Sequence, residues 1–81
     1  MLKRAILGKY TVQFLYHGGE SSMQRTVEPL KLCFKGQGWY LYAYCRLRSD
    51  YRFFKLRRIK ELKLLDEHFE RTAPAKIFED N

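Results

Sequence analysis

The chain has 81 residues, enough for one domain and no second. Its hydrophobic fraction of 46%, with six Tyr, six Phe and one Trp, excludes a disordered polypeptide. No apolar run reaches the roughly 18 residues of a membrane helix, which excludes a spanning segment of that kind. The net charge of +7 is unevenly placed. Residues 46–60 hold seven basic side chains, five of them Arg, against Asp50 alone, whereas residues 61–81 are net acidic. A basic stretch of this kind focuses a positive field on one part of the surface, and arginine suits bidentate phosphate contacts and stacking on bases.

In chain order, residues 2–8 read as a short helical turn closed by Gly8. The short basic and apolar start is too brief for a signal peptide. Tyr10 to Tyr16 alternates as a strand, and the paired glycines at 18 and 19 turn the chain. Gln24 to Glu28 reads as a second strand stopped by Pro29, which cannot donate to a central ladder. Residues 30–35 form a third, and Gly36-Gln37-Gly38 a tight turn into the fourth.

The fourth strand, Trp39 to Arg48, has the clearest pattern. Odd positions give an apolar face of Trp39, Leu41, Ala43, Cys45 and Leu47, on which Trp39 is expected to pack into the core. Even positions present Tyr40, Tyr42 and Tyr44 followed by Arg46 and Arg48. Ser49-Asp50 turns into a fifth strand, Tyr51 to Leu56, with Phe54 and Leu56 on one face. Residues 57–69 fit a helix or a strand; a turn at 57–60 and a strand over 61–66 would help close a small antiparallel barrel. The core spans about residues 4–70 of a single domain, with 71–81 as a peripheral tail.

Cys33 and Cys45 have no zinc-type spacing and read as reduced thiols of a cytoplasmic protein, although a disulfide stays open. His17 and His68 lack ligand-spaced companions, so neither a metal nor a cofactor is expected. No activated nucleophile, phosphate loop or carboxylate dyad is present, and the expectation is a non-enzyme.

The stretch from Gly38-Trp39-Tyr40-Leu41 through Leu47-Arg48, Arg52-Phe53-Phe54 and Arg58-Ile59, with Tyr16, Arg25 and Glu28-Pro29-Leu30 upstream, resembles the WYL domain family over roughly residues 4–70. The resemblance implies a mainly β fold, a small Sm-like five-stranded antiparallel barrel with a short N-terminal helix. It also implies a ligand-sensing domain of bacterial transcription regulators, binding single-stranded nucleic acid or a nucleotide-like effector. Carried over, the ligand-binding positions are Tyr40, Arg46, Arg48, Arg52 and Arg58, with Tyr16, Arg25 and Tyr44 as a second tier; Tyr42, on the same strand face as Tyr40 and Tyr44, is a further candidate for stacking on bases. Arg46 stands where many members have His, and Arg57 where they have an acidic residue, so this surface is more basic. The helix-turn-helix that usually precedes the domain is absent from this chain, and an attached one is the expected partner. Against this stands a protein-interaction or oligomerisation module, a homodimer included, with tyrosines as interface core and arginines as rim. An acidic membrane surface is the weakest partner, because no amphipathic helix has a basic face.

Overall fold

The computed structural model describes residues 1–74. Helix α1 (Leu2–Gly8) is followed by strands β1 (Tyr10–Gly18), β2 (Ser21–Lys35), β3 (Gly38–Cys45) and β4 (Asp50–Lys55). A 3-10 turn at Leu56–Arg58 leads into β5 (Ile59–His68). All pairings are antiparallel, in the order β4-β3-β2-β1-β5. The mainly β class, the five strands and the short helix agree with expectation, and residues 59–68 are strand rather than helix.

Four local readings are corrected. The helix ends on Lys9, which takes the left-handed conformation (φ 57°, ψ 49°), rather than on Gly8. Gly8 is needed for another reason, since a Cβ there would lie 2.7 Å from the Tyr10 ring. The second and third predicted strands are one, the fifteen-residue β2. Pro29 lies within it, buried opposite Ala43, and the ladder absorbs the missing N–H through a register shift between Pro29 and Lys31. The strand after the Gly36–Gln37 turn stops at Cys45, and residues 46–49 form the next turn, with Ser49 at φ 53°. Leu47 therefore leaves the apolar face and is exposed.

The sheet rolls upon itself without closing its ladder, because β4 and β5 are its two free edges. Side chains complete the roll. Phe54 of β4 packs edge-on against Phe14 (5.3 Å between centroids) and Tyr16 (5.0 Å) of β1. The inner face holds the core of Val12, Phe14, Val27, Leu41, Ala43, Cys45 and Phe54, with Ala5 of the helix packed in. Both cysteines are free. They lie on opposite faces, since Cys45 pairs with inward Val27 and Cys33 with Tyr40.

Candidate nucleic-acid or nucleotide interface

The register sorts the predicted site residues between two faces. Cα partners across an antiparallel pair share a face. Tyr44 pairs with Tyr51 and Glu28, Tyr42 with Phe53 and Lys31, and Tyr40 with Lys55 and Cys33. These residues form the outer face. Inward lie Arg25, opposite Phe14, and Arg52, opposite Ala43. The single tyrosine–arginine face expected from β3 is thus divided, because its basic half belongs to a turn and to other strands.

On the outer face the tyrosines stand in a ring array. Tyr42 is stacked parallel to Tyr51 at 5.8 Å and touches Phe53 at 4.7 Å. Tyr40 meets Phe53 edge-on, and Tyr44 meets Tyr51 likewise. Tyr42 is only 2% exposed, so it supports the array and offers no ring face to a ligand. Its hydroxyl pKa is raised, first by burial and then by Tyr51, Asp50 and Cys33. Cations lie on the array: the Lys35 ammonium is 4.0 Å from the Phe53 centroid and 5.5 Å from that of Tyr40, and the Arg71 guanidinium is 3.6 Å from that of Tyr44.

Arg46 has outer-face partners. Its Nε donates to Glu28 Oε2 at 3.2 Å and its NH1 pairs with Glu67 at 3.0 Å. Burial opposes its charge, but the hydrogen bonds to Glu28 and Glu67 outweigh it and raise its pKa. Buried Glu28 takes a second arginine, Arg71, at 2.8 Å, and this bond raises the Arg71 pKa. Arg71 and Thr72, whose carbonyl accepts from the Tyr51 hydroxyl at 3.3 Å, thus lie across the strands on this side. The rest of the expected tail, 75–81, lies outside the described residues.

The inner face is different in kind. Arg25 is 7% exposed; its NH1 donates to the Cys45 thiol at 3.6 Å, and its Nε has no hydrogen-bond partner. Among the described residues it has no carboxylate partner. Arg52 is half-buried on the same face and, among the described residues, likewise lacks one. Tyr16 is partly buried against the core, and its hydroxyl accepts the Lys55 backbone N–H at 3.0 Å. That bond makes it a structural tie.

The WYL domain family model matches residues 1–64. The chain belongs to the WYL domain family. Over 63 residues, 75% of this chain, it is 48% identical to the "Uncharacterized HTH-type transcriptional regulator YobV" of Bacillus subtilis (strain 168), of which it covers 20%. It superposes on proteasome accessory factor B/C (PafBC) of Arthrobacter aurescens with a TM-score of 0.77 at 26% identity, over 83% of this chain and 11% of that one. This WYL domain therefore spans a fifth or less of the length of these relatives.

Within the domain the Trp-Tyr-Leu triplet alternates across the sheet. Leu41 is fully buried and Tyr40 half-buried on the outer face. Trp39, expected in the core, is 52% exposed, because it stands at the sheet end beyond the rolled interior and packs edge-on against Phe34 at 5.2 Å. Arg48 is exposed in the 46–49 turn, and Arg58 lies in the 3-10 turn. Sequence reasoning missed Tyr51, Phe53 and Lys35. The first two had a signal: placing Phe54 and Leu56 on one face of β4 leaves Tyr51 and Phe53 together on the other.

The histidines have structural partners. His17 Nδ1 bonds Ser22 Oγ at 2.8 Å, and His68 donates from Nδ1 to the Gly8 carbonyl at 3.0 Å beside the Tyr10 ring. Among the described residues no group of three metal-ligating side chains occurs, and no helix is long and apolar enough to cross a membrane.

Proposed function

We propose that this WYL domain is the ligand-binding module of a larger bacterial transcription regulator. It binds single-stranded nucleic acid or a nucleotide-like anion and does no chemistry on it. The observation that carries the reading is Arg25. Among the described residues it has no counter-charge, and a guanidinium buried in that way costs several kcal/mol unless an anion supplies the missing partner. Arg52 on the same face and Arg48 in the adjoining turn add charge for a phosphate-bearing ligand. The outer rings and their cations supply the second element of single-strand binding, a stacking surface beside basic groups. The regulatory role draws on the relative named as an HTH-type transcriptional regulator, to whose DNA-reading portion this module would transmit ligand occupancy.

Fluorescence anisotropy of a labelled mixed-sequence single-stranded DNA tests it at two salt concentrations, with wild type and with Arg25→Met/Arg52→Ala. The expected result is binding that weakens steeply with salt and is lost in the double variant. Binding that ignores salt and both arginines refutes the reading.

A second reading, a homodimer or other protein-interaction module, is favoured by one observation: Phe34 and Trp39 form an exposed aromatic pair. Sedimentation separates the two. Concentration-dependent association that nucleic acid leaves unchanged supports the interaction module.

A further inference from the structure

At the other end of β3 from Cys45, the β2–β3 turn faces the 3-10 turn across a groove of about 520 Å³. Lys35, Lys55 and Arg57 line it together with Trp39 and Tyr40, and among the described residues no carboxylate does. The volume falls in the range of small-ligand sites, roughly 300–1,000 Å³. Three cations gathered without an acid repel one another unless an anion joins them. The Lys35 ammonium is also fixed in place, resting over the Phe53 and Tyr40 rings. Trp39 is half exposed, yet its ring is braced edge-on by Phe34. A braced, accessible indole beside clustered cations has the two elements that bind a base and its phosphate together.

We infer that this groove is a second binding site, taking one base-plus-phosphate unit: the base stacks on Trp39 and the phosphate sits among Lys35, Lys55 and Arg57. The inference rests on the ligand class proposed above and adds a location to it. Six residues of extended strand separate Trp39 from Cys45, roughly 20 Å. A mononucleotide in the groove therefore cannot also reach Arg25, whereas a single strand several nucleotides long can engage both.

Trp39 is the sole tryptophan of the chain, so its emission reports on the groove alone. The experiment titrates the full 81-residue chain with dAMP and, separately, with a labelled single-stranded DNA oligomer, following indole emission and oligomer anisotropy. Wild type is compared with Lys55→Ala/Arg57→Ala, and with Lys3→Ala/Arg4→Ala, which removes the same charge from the exposed face of α1. The expected result is quenching of Trp39 on binding. The groove variant should weaken binding about tenfold and the helix variant less than about twofold, a local rather than a net-charge effect. Quenching by dAMP identifies a free nucleotide as sufficient; quenching by the oligomer alone identifies a strand. An oligomer that binds by anisotropy without altering Trp39 emission, or that binds the groove variant as tightly as wild type, overturns the groove and leaves the Arg25 reading standing. Failure of both probes to bind overturns both.

Discussion

The Tyr16 hydroxyl accepts the backbone N–H of Lys55 at 3.0 Å, across a gap that no strand ladder spans. A residue thirty-nine positions away thereby does for the end of β4 what a neighbouring strand's carbonyl would do. The same ring packs edge-on against Phe54, so the roll is held by one aromatic side chain from both sides.

Tyr16→Phe keeps the ring contacts and removes only the acceptor. The expected loss is about 1 kcal/mol, the usual net worth of such a bond. In a domain of this size that lowers Tm by about 4–8 °C. Thermal unfolding by circular dichroism checks it, and an unchanged Tm means that the Lys55 N–H finds another partner.

Arg25→Met separates stability from binding. Methionine is flexible, apolar and of suitable length to fill the space beside Cys45 and Phe14. Replacing a buried, poorly partnered charge by an apolar group is expected to be neutral or stabilising by up to about 2 kcal/mol. Single-strand affinity should fall in the same variant. Urea unfolding and anisotropy measured side by side give the two signs, and loss of both together would make Arg25 merely structural.

The fold was readable where local pattern and tertiary packing agree. Alternation in β1 and β3 and the glycines at 19 and 36, both at positive φ, mark strands and turns directly. Residues 57–69 were ambiguous for a visible reason. Gln13 and Leu15 face Lys63 and Lys60, so β5 carries an extra residue at a bulge with Glu61 at φ 53°. A second shift lies between Tyr10 and Val12. Two bulges in ten residues erase a period of two. The site was harder. Pattern within β3 shows that its tyrosines share a face, but only the β1–β2 and β3–β4 registers show that Arg25 and Arg52 turn inward. Nor does alternation reveal that Tyr42 is buried while Trp39, of odd parity with the core, lies past its end.

Tyr42 should leave an alkaline signature. Burial, ahead of nearby Tyr51, Asp50 and Cys33, raises its pKa above the ordinary tyrosine value of 10.0. The neutral phenol is then favoured in the folded chain. The corresponding stability is fully present below pH 10, the unfolded value, and is lost as pH rises through the folded one. The difference in unfolding free energy between wild type and Tyr42→Phe should therefore be flat below about pH 9 and shift against the wild type above pH 10. A difference that stays constant to pH 11 refutes the assignment.

Glu28 sets stability against affinity. Its carboxylate takes the Nε groups of both Arg46 and Arg71, holding two cations on a face that carries half-buried rings. Glu28→Gln keeps the shape and removes the charge. The arginines are 35% and 41% exposed, so solvent replaces part of what they lose. The expected cost at Glu28 itself is about 1–2 kcal/mol, that of a charge-assisted bond discounted for screening. Binding should move the other way. Two guanidinium groups relieved of their carboxylate become available to phosphates, Arg46 with Glu67 as its remaining competitor. Each added phosphate contact steepens the salt dependence of log K by about 0.7 for a single strand. A lower Tm together with tighter, more salt-sensitive binding is the expected pair of changes. A lower Tm with weaker binding would mean that Glu28 orients Arg46 and Arg71 toward the ligand instead of competing for them.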